Sequence, residues 1–249
     1  MTALPTWPYP RLIAHRGGGH IAPENTLAAM RAGAACGYAM MEFDAKLSRD
    51  GVAVLLHDDT LERTTDGTGP AAALDFAALA QLDAGSWHSP AYAGEPIPTL
   101  AAVARYTLAN GLASNVEIKP CPGREQETGH AVALAVARLW QQAQVPPLVS
   151  SFSETALAAA AAAAPALPRA LLIAGRLPPD WRDRLRRHGC VALNMNQAEV
   201  TRDLVEEVHG AGARLTAWTV NDPGRARQLL DWGVDAIFTD ALDAIPADF

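Results

Sequence analysis

The chain has 249 residues, 49% of them hydrophobic, and a formal net charge of −7. That length suits two small domains or one (β/α)8 barrel, and the apolar fraction is ample for one large core. The acidic balance and the absence of a basic run exclude a nucleic-acid footprint; an enzyme handling phosphates on such a chain makes its positive field locally, from a few Arg and Lys side chains and a cation.

Cys36, Cys121 and Cys190 are odd in number, far apart and without CxxC spacing, which reads as small core or surface residues in a reducing compartment. The start, "MTALPTWPYPRLIAH", has no charged segment followed by an apolar one, so no signal peptide is expected. The longest apolar tract, Ala156 to Ala164, is stopped by Pro165 and is shorter than the roughly 20 residues that span a bilayer. The expectation is a cytoplasmic, soluble protein with no stable membrane insertion.

In chain order, strands are predicted near 11–15, 38–47, 52–57, 115–119, 147–152, 169–174, 191–195, 214–220 and 235–239. Helical patterns lie at 25–37, 129–143, 153–164, 180–189, 201–212 and 223–233, with Asn25, Ser153 and Asp222 as N-caps and Gly37, Gly189 and Gly233 as stops. Repeated strand–helix units imply a parallel sheet covered or closed by helices. Nine strands are one too many for an eightfold barrel, and "SRDG" at 48–51 accounts for the surplus: 38–47 and 52–57 form a hairpin, one arm of which projects beyond the barrel. A turn centred between Arg49 and Asp50 places Glu42 roughly opposite His57. From Asp59 to Thr99 the alternation breaks into Gly- and Pro-rich turns with one short helical stretch between Asp75 and Leu82. Such a connection is either a functional lid or small subdomain, or a surface excursion packed on the barrel.

The chemistry-bearing residues fall at strand ends. Residues i and i+2 of a strand point to one side, so Glu42 aims with Asp44 and Glu117 with Lys119. Three oxygen donors, Glu42, Asp44 and Glu117, with water and a substrate phosphate, suit one Mg²⁺ or Ca²⁺; zinc would recruit more His or Cys. An ExD pair alone is more often solvated or salt-bridged, but its company with Glu117, His15 and His57 favours a site. His15 is followed by Arg16 and three glycines, which let a backbone approach a ligand while arginine grips phosphate. Two imidazoles with ordinary pKa values near 6.5 can serve as acid and base across one phosphorus, and Arg16 and Lys119 can stabilise charge on the phosphoryl oxygens. Trp218, late in its strand, walls a substrate or packs in the core. Glu24 supports the first loop, Asn25 caps the first helix, and Asp240 reads as structural.

Together, "AHRGG…APENT", "EFDAKLSRDGVAVLLHDDTLERTTDGTG", "LDAGSWHS", "GEPIPTL", "VEIKP", "SF", "AWTVND" and "GVDAIFTD" resemble the glycerophosphodiester phosphodiesterase family, in the family's order and over about residues 11–240. The resemblance implies a phospholipase-C-like (β/α)8 TIM barrel in the α/β class, with an insertion after the third strand that residues 59–99 match, and one barrel domain over 1–249. It implies His15 and His57 as the catalytic acid/base pair, Glu42, Asp44 and Glu117 as ligands of one divalent cation, Mg²⁺ or Ca²⁺, Arg16 and Lys119 as phosphate contacts, and Trp218 as a substrate-pocket aromatic. The chain departs from the family at His88, where an aromatic or aliphatic residue is usual, and at Ala236, where glycine is common; these bear on substrate fit.

The implied reaction is metal-dependent hydrolysis of a small-molecule glycerophosphodiester to sn-glycerol 3-phosphate and an alcohol such as choline, ethanolamine or glycerol, through a cyclic phosphate. Resemblance to phospholipase C enzymes makes His15 the base and His57 the acid, an order that sequence does not settle. Rival readings are a lysophospholipase D or inositol phosphodiesterase of the same fold, favoured by an apolar entrance to which the insertion offers Trp87 and Tyr92, and a non-catalytic phosphodiester-binding protein, whose signature would be a lost histidine or carboxylate. The oligomeric state is not legible.

Overall fold

The computed structural model describes residues 4–249; the readings of the extreme N-terminus and of one domain over 1–249 include residues 1–3, outside that description. Nine strands form where the patterning places them: β1 (Leu12–Ala14), β2 (Met40–Leu47), β3 (Ala53–Leu55), β4 (Ala113–Ile118), β5 (Leu148–Ser151), β6 (Arg169–Ile173), β7 (Cys190–Asn196), β8 (Arg214–Trp218) and β9 (Ala236–Thr239). All but β3 are parallel, in the order β1-β9-β8-β7-β6-β5-β4-β2, and β1 pairs with β2 through Ala14 and Met41 to close a TIM barrel.

The projecting arm is β3. It pairs antiparallel with the later part of β2, Ala45 against Leu55 and Leu47 against Ala53, after β2 has parted from β1. The turn centres on Asp50 rather than between Arg49 and Asp50. Ser48 and Val52 frame a three-residue loop: the Ser48 hydroxyl donates to Asp50 at 2.6 Å and accepts from the Val52 amide at 2.9 Å, while Gly51 takes the left-handed conformation, φ +79°, as this loop class requires. The register is therefore one residue off the expected one, with Leu56 N–H donating to the Asp44 carbonyl; continued past β3, it sets Phe43 rather than Glu42 opposite His57. His57 leaves the ladder at this point and reaches the site from a bend.

Burial along β2 shows how the barrel divides its side chains. All eight residues are buried, as in a strand covered on both faces. Met41, Phe43, Ala45 and Leu47 join the core between sheet and helices, while Met40 belongs to the interior cluster with Ile13, Leu148, Ala170, Ala192 and Phe238. Glu42 and Asp44, in phase with Met40, therefore rise above an apolar floor toward the strands' C-terminal ends.

The helices are α1 (Leu27–Ala35), α2 (Phe76–Leu79), α3 (Leu100–Ala109), α4 (Glu125–Leu139), α5 (Glu154–Ala163), α6 (Trp181–His188), α7 (Arg202–Gly210) and α8 (Pro223–Asp231). Ser153 and Asp222 are N-caps, as expected. Asn25 is not: the cap of α1 is Thr26, whose hydroxyl accepts from Ala29 N–H, because Asn25 lies in the left-handed region and its side chain is committed elsewhere. Helix α3 had not been anticipated. It starts at a Thr99 cap and buries Leu100, Val103, Ala104 and Thr107, a 3.6-residue stripe that follows directly on the Pro-rich "EPIPT".

Residues 56–99 carry their own small core, in which Leu56, Leu61, Ala71, Leu79, Ala84 and Ile97 pack with Val54 of β3. The segment is fastened to the barrel's first loop and α1. Glu95 accepts from the Ala28 amide at 2.9 Å, Tyr92 hydroxyl donates to the Ile21 carbonyl at 3.2 Å, and His88 Nε2 lies 2.9 Å from the His20 carbonyl. Among the described residues no helix is long and apolar enough to cross a membrane.

Candidate active site

A cavity of about 260 Å³ opens at the C-terminal ends of the barrel strands, lined by His15, Arg16, Glu42, His57, Glu117, Lys119 and Trp218 among others. Asp44 lies against this set, so all eight residues singled out from sequence converge on one place. A neighbouring hollow of about 600 Å³ shares His57, Glu117, Lys119 and Phe152 with it.

Adjacent inward positions bring the carboxylates together. In the β2–β4 register Asp44 is paired with Glu117 and Glu42 with Asn115. Glu42, Asp44 and Glu117 each offer an oxygen within 4.8 Å of the others, and they are only 3%, 1% and 8% exposed. Each is held from outside the trio: the Arg16 amide donates to Glu42 at 2.9 Å, Lys119 donates to Glu117 at 2.8 Å, and Asn25 grips Asp44 twice, its Nδ2 donating to Oδ2 at 2.8 Å and its Oδ1 accepting from the Asp44 amide at 2.9 Å.

Crowding three acids out of water has an electrostatic consequence. Burial, then repulsion from Asp44 and Glu117, pushes Glu42 well above the carboxylate range. Burial and Asp44 push Glu117 up to about 7 against the pull of Lys119. Burial would raise Asp44 too, but Lys119, Arg16 and His57 outweigh it and hold it at about 2. The buried Glu42 Oε1 has no hydrogen-bond partner. An unpartnered carboxylate oxygen in an all-oxygen donor set fits a hard divalent cation, Mg²⁺ or Ca²⁺.

Arg16 shapes the cationic side. It is a non-glycine residue at φ +51°, a conformation costing about 1–3 kcal/mol that persists only where surroundings over-determine it. Here its amide is tied to Glu42 and its guanidinium to Glu24 at 2.8 Å, with Asp44 3.6 Å away. Glu24 thus supports the first loop, as expected. Lys119 stands 3.7 Å from Asp44 and 5.3 Å from the Phe152 ring centroid; burial would depress its ammonium, but Asp44 and Glu117 hold it above the usual value.

The two imidazoles are mounted alike. His15 Nδ1 is 2.6 Å from Asp240 Oδ1, and His57 Nδ1 is 2.6 Å from Asp58 Oδ1. Opposite an ionised carboxylate, Nδ1 carries a hydrogen, which leaves Nε2 as the nitrogen that can take or give a proton. Asp240, read from sequence as structural, therefore touches a histidine of the site; its place at the C-terminal end of a barrel strand was the available signal. The approach is tight at Gly19, where a Cβ would come 2.1 Å from the Asp240 carbonyl oxygen.

Two further residues escaped the sequence reading. Lys46, wholly buried, continues the inward phase of Glu42 and Asp44; its ammonium donates to the Asp58 carbonyl and lies 3.5 Å from Asp59, bracing the bend that carries His57. Phe152, 40% exposed, meets Trp218 edge-on at 5.4 Å, and the Trp218 indole donates to the Asn194 carbonyl at 3.1 Å. These rings form an apolar wall facing the charged one. Ala236 is buried in β9 within the barrel interior.

Residues 15–244 match the model of the glycerophosphoryl diester phosphodiesterase family. The Bacillus subtilis protein YhdW is 33% identical over 243 residues, covering 95% of this chain and 97% of its own. A glycerophosphodiester phosphodiesterase of Caldanaerobacter subterraneus is 32% identical over 233 residues, 92% of this chain and 93% of that one. Among solved structures, an Oleispira antarctica phosphodiesterase in complex with the product sn-glycerol-3-phosphate superposes with a TM-score of 0.89 at 37% identity, over 96% of this chain and 95% of the other. With barrel, acidic trio and paired histidines in one place, the chain belongs to the glycerophosphoryl diester phosphodiesterase family and is a phosphoric diester hydrolase.

Proposed function

We propose that the enzyme hydrolyses small glycerophosphodiesters to sn-glycerol 3-phosphate and an alcohol, with His15 and His57 as the acid/base pair. The observation that carries this reading is the mounting of both imidazoles, each with Nδ1 on an aspartate at 2.6 Å, beside a cavity that also holds Arg16 and Lys119. The product bound to the Oleispira antarctica relative supports the glycerol phosphate half of the substrate.

Glu42, Asp44 and Glu117 would hold one Mg²⁺ or Ca²⁺, which when bound supplies Lewis-acid polarisation of the phosphoryl group and orients the substrate. Arg16 and Lys119 bind the phosphoryl oxygens and stabilise their growing charge. His15 Nε2, with its lone pair free, takes the proton of the glycerol 2-hydroxyl as that oxygen attacks phosphorus. His57, starting as the imidazolium, gives its Nε2 proton to the departing alkoxide, and a cyclic glycerol phosphate results. Water then opens the ring with the two roles exchanged. Burial, reinforced by Arg16 and Lys119, depresses His57 against the opposing pull of Asp44 and Asp58, which makes its imidazolium a readier donor. Phe152 and Trp218 pack against the carbon skeleton and keep bulk water out.

Residues 1–249 are read as one barrel domain with 59–99 as its insertion, and the unpaired Cys36, Cys121 and Cys190 fit a reducing cytoplasm. The test is release of sn-glycerol 3-phosphate from glycerophosphocholine with Mg²⁺ or Ca²⁺, with EDTA, and for His15→Ala. Release that chelation stops, that added cation restores and that His15→Ala abolishes supports the mechanism. Release surviving either EDTA or the substitution refutes it.

A further inference from the structure

Arg63 lies in the inserted segment, outside the cavity, with its side chain 43% exposed. Its guanidinium is used on both edges. Toward Asp58, Nε donates to Oδ2 at 2.6 Å and Nη2 to Oδ1 at 3.0 Å; toward Glu24, Nη1 donates to Oε2 at 2.7 Å and Nη2 to Oε1 at 2.8 Å. Those carboxylates have one further duty each. Asp58 Oδ1 is the partner of His57 Nδ1, and Glu24 Oε1 accepts from Arg16 Nη1 at 2.8 Å. One planar cation thus links, in an unbroken chain, the histidine beyond β3 and the arginine beyond β1.

Neither end of that chain stands on regular structure. His57 sits in a bend, and Arg16 is in the left-handed region, so strand geometry sets neither side chain. Two-point pairing fixes the orientation of each carboxylate as well as its position, and only a guanidinium has the fork to do this on two sides at once.

We infer that Arg63 is a positioning residue of the active site, aligning His57 through Asp58 and Arg16 through Glu24. This rests on the reading of His57 and Arg16 as working groups. Arg63 makes the relative placement of the proton-carrying imidazole and the phosphate-gripping guanidinium depend on one side chain from the insertion, and so gives that segment a part in the reaction without contact with substrate.

The test uses steady-state hydrolysis of glycerophosphocholine and thermal melting of Arg63→Ala, Arg63→Lys, His57→Ala and the double variant Arg63→Ala/His57→Ala. Arg63→Ala is expected to lower kcat roughly tenfold or more and raise KM severalfold, since each misaligned charge-assisted contact is of that order, with a melting temperature close to wild type. Arg63→Lys, which cannot grip both carboxylates, recovers only part of the loss. On the His57→Ala background, Arg63→Ala lowers kcat by a clearly smaller factor than in the wild type, the remaining fall and the rise in KM coming through the Arg16 arm. The inference is overturned if His57→Ala is crippled while Arg63→Ala keeps kcat within twofold, or if Arg63→Ala costs the same factor in kcat with and without His57. Retention of kcat by His57→Ala would instead overturn the role of His57 itself, and with it that arm of the inference.

Discussion

Replacing Asp240 by asparagine tests the contact between its carboxylate and His15, while Asn221 Nδ2 also reaches that carboxylate at 3.2 Å. Burial alone would raise this carboxyl, but the hydrogen bond and charge of His15 outweigh it and keep it below the usual range, so it stays ionised at working pH. In the proposed mechanism His15 accepts a proton, and the 2.6 Å contact to Asp240 then becomes one between full opposite charges. A charge-assisted hydrogen bond is worth about 1.5–3 kcal/mol, so its loss from the transition state lowers kcat by roughly 10- to 150-fold. KM should change little, because Asp240 does not line the cavity. Folding should change little too, since the bond from the Asp240 amide to Asn221 Oδ1 at 2.8 Å survives. The assay is coupled detection of sn-glycerol 3-phosphate across a range of substrate concentrations, with melting as the control for folding. A kcat within twofold of wild type, at unchanged melting temperature, would refute the reasoning, as would an equal fractional loss in a His15→Ala background.

Three other outcomes follow from the same geometry. Asn25→Gly keeps the φ of +61° accessible but removes both bonds to Asp44; titration calorimetry should show divalent-cation affinity about 10- to 100-fold weaker, and unchanged affinity would mean that Asp44 needs no orienting partner. Gly19→Ala drives a methyl against the Asp240 carbonyl and places a side chain at φ +53°, so kcat should fall with the melting temperature; wild-type values for both would show that the loop can yield. Leu61→Ala hollows the small core of the insertion, where Leu61 is wholly buried, and should cost about 2–5 kcal/mol in denaturant unfolding if insertion and barrel unfold together, whereas an undiminished global transition would show that the segment opens by itself.

The site was readable from sequence to the extent that it follows strand periodicity and motif order. Glu42 and Asp44, two apart on β2, and Glu117 and Lys119, two apart at the end of β4, point inward for reasons any strand obeys, and the barrel's closure then places them together. The residues left unread reach the site by other routes. Asp240 meets His15 across 225 positions, a proximity that only ring closure creates. Lys46 continues a phase that was visible, but its burial depends on the loop folding over it. Asn25 looks like a helix cap, and only its left-handed backbone shows that its side chain serves Asp44 instead. The hairpin register missed by one residue because Ser48 and Asp50 bond to each other within the turn, a choice between two loop lengths that composition leaves open.

By itself the sequence determined the eight barrel strands, six of the helices between them, the extra hairpin arm, the family and the eight residues that converge at the barrel mouth, because hydrophobic period and motif order are local properties of the chain. Only the tertiary structure decided which carboxylate serves which imidazole, how β2 and β3 align, and that Arg63 of the insertion joins the two halves of the site. Those are distances between segments remote in sequence, set when the barrel closes and the insertion docks, and no local pattern encodes them.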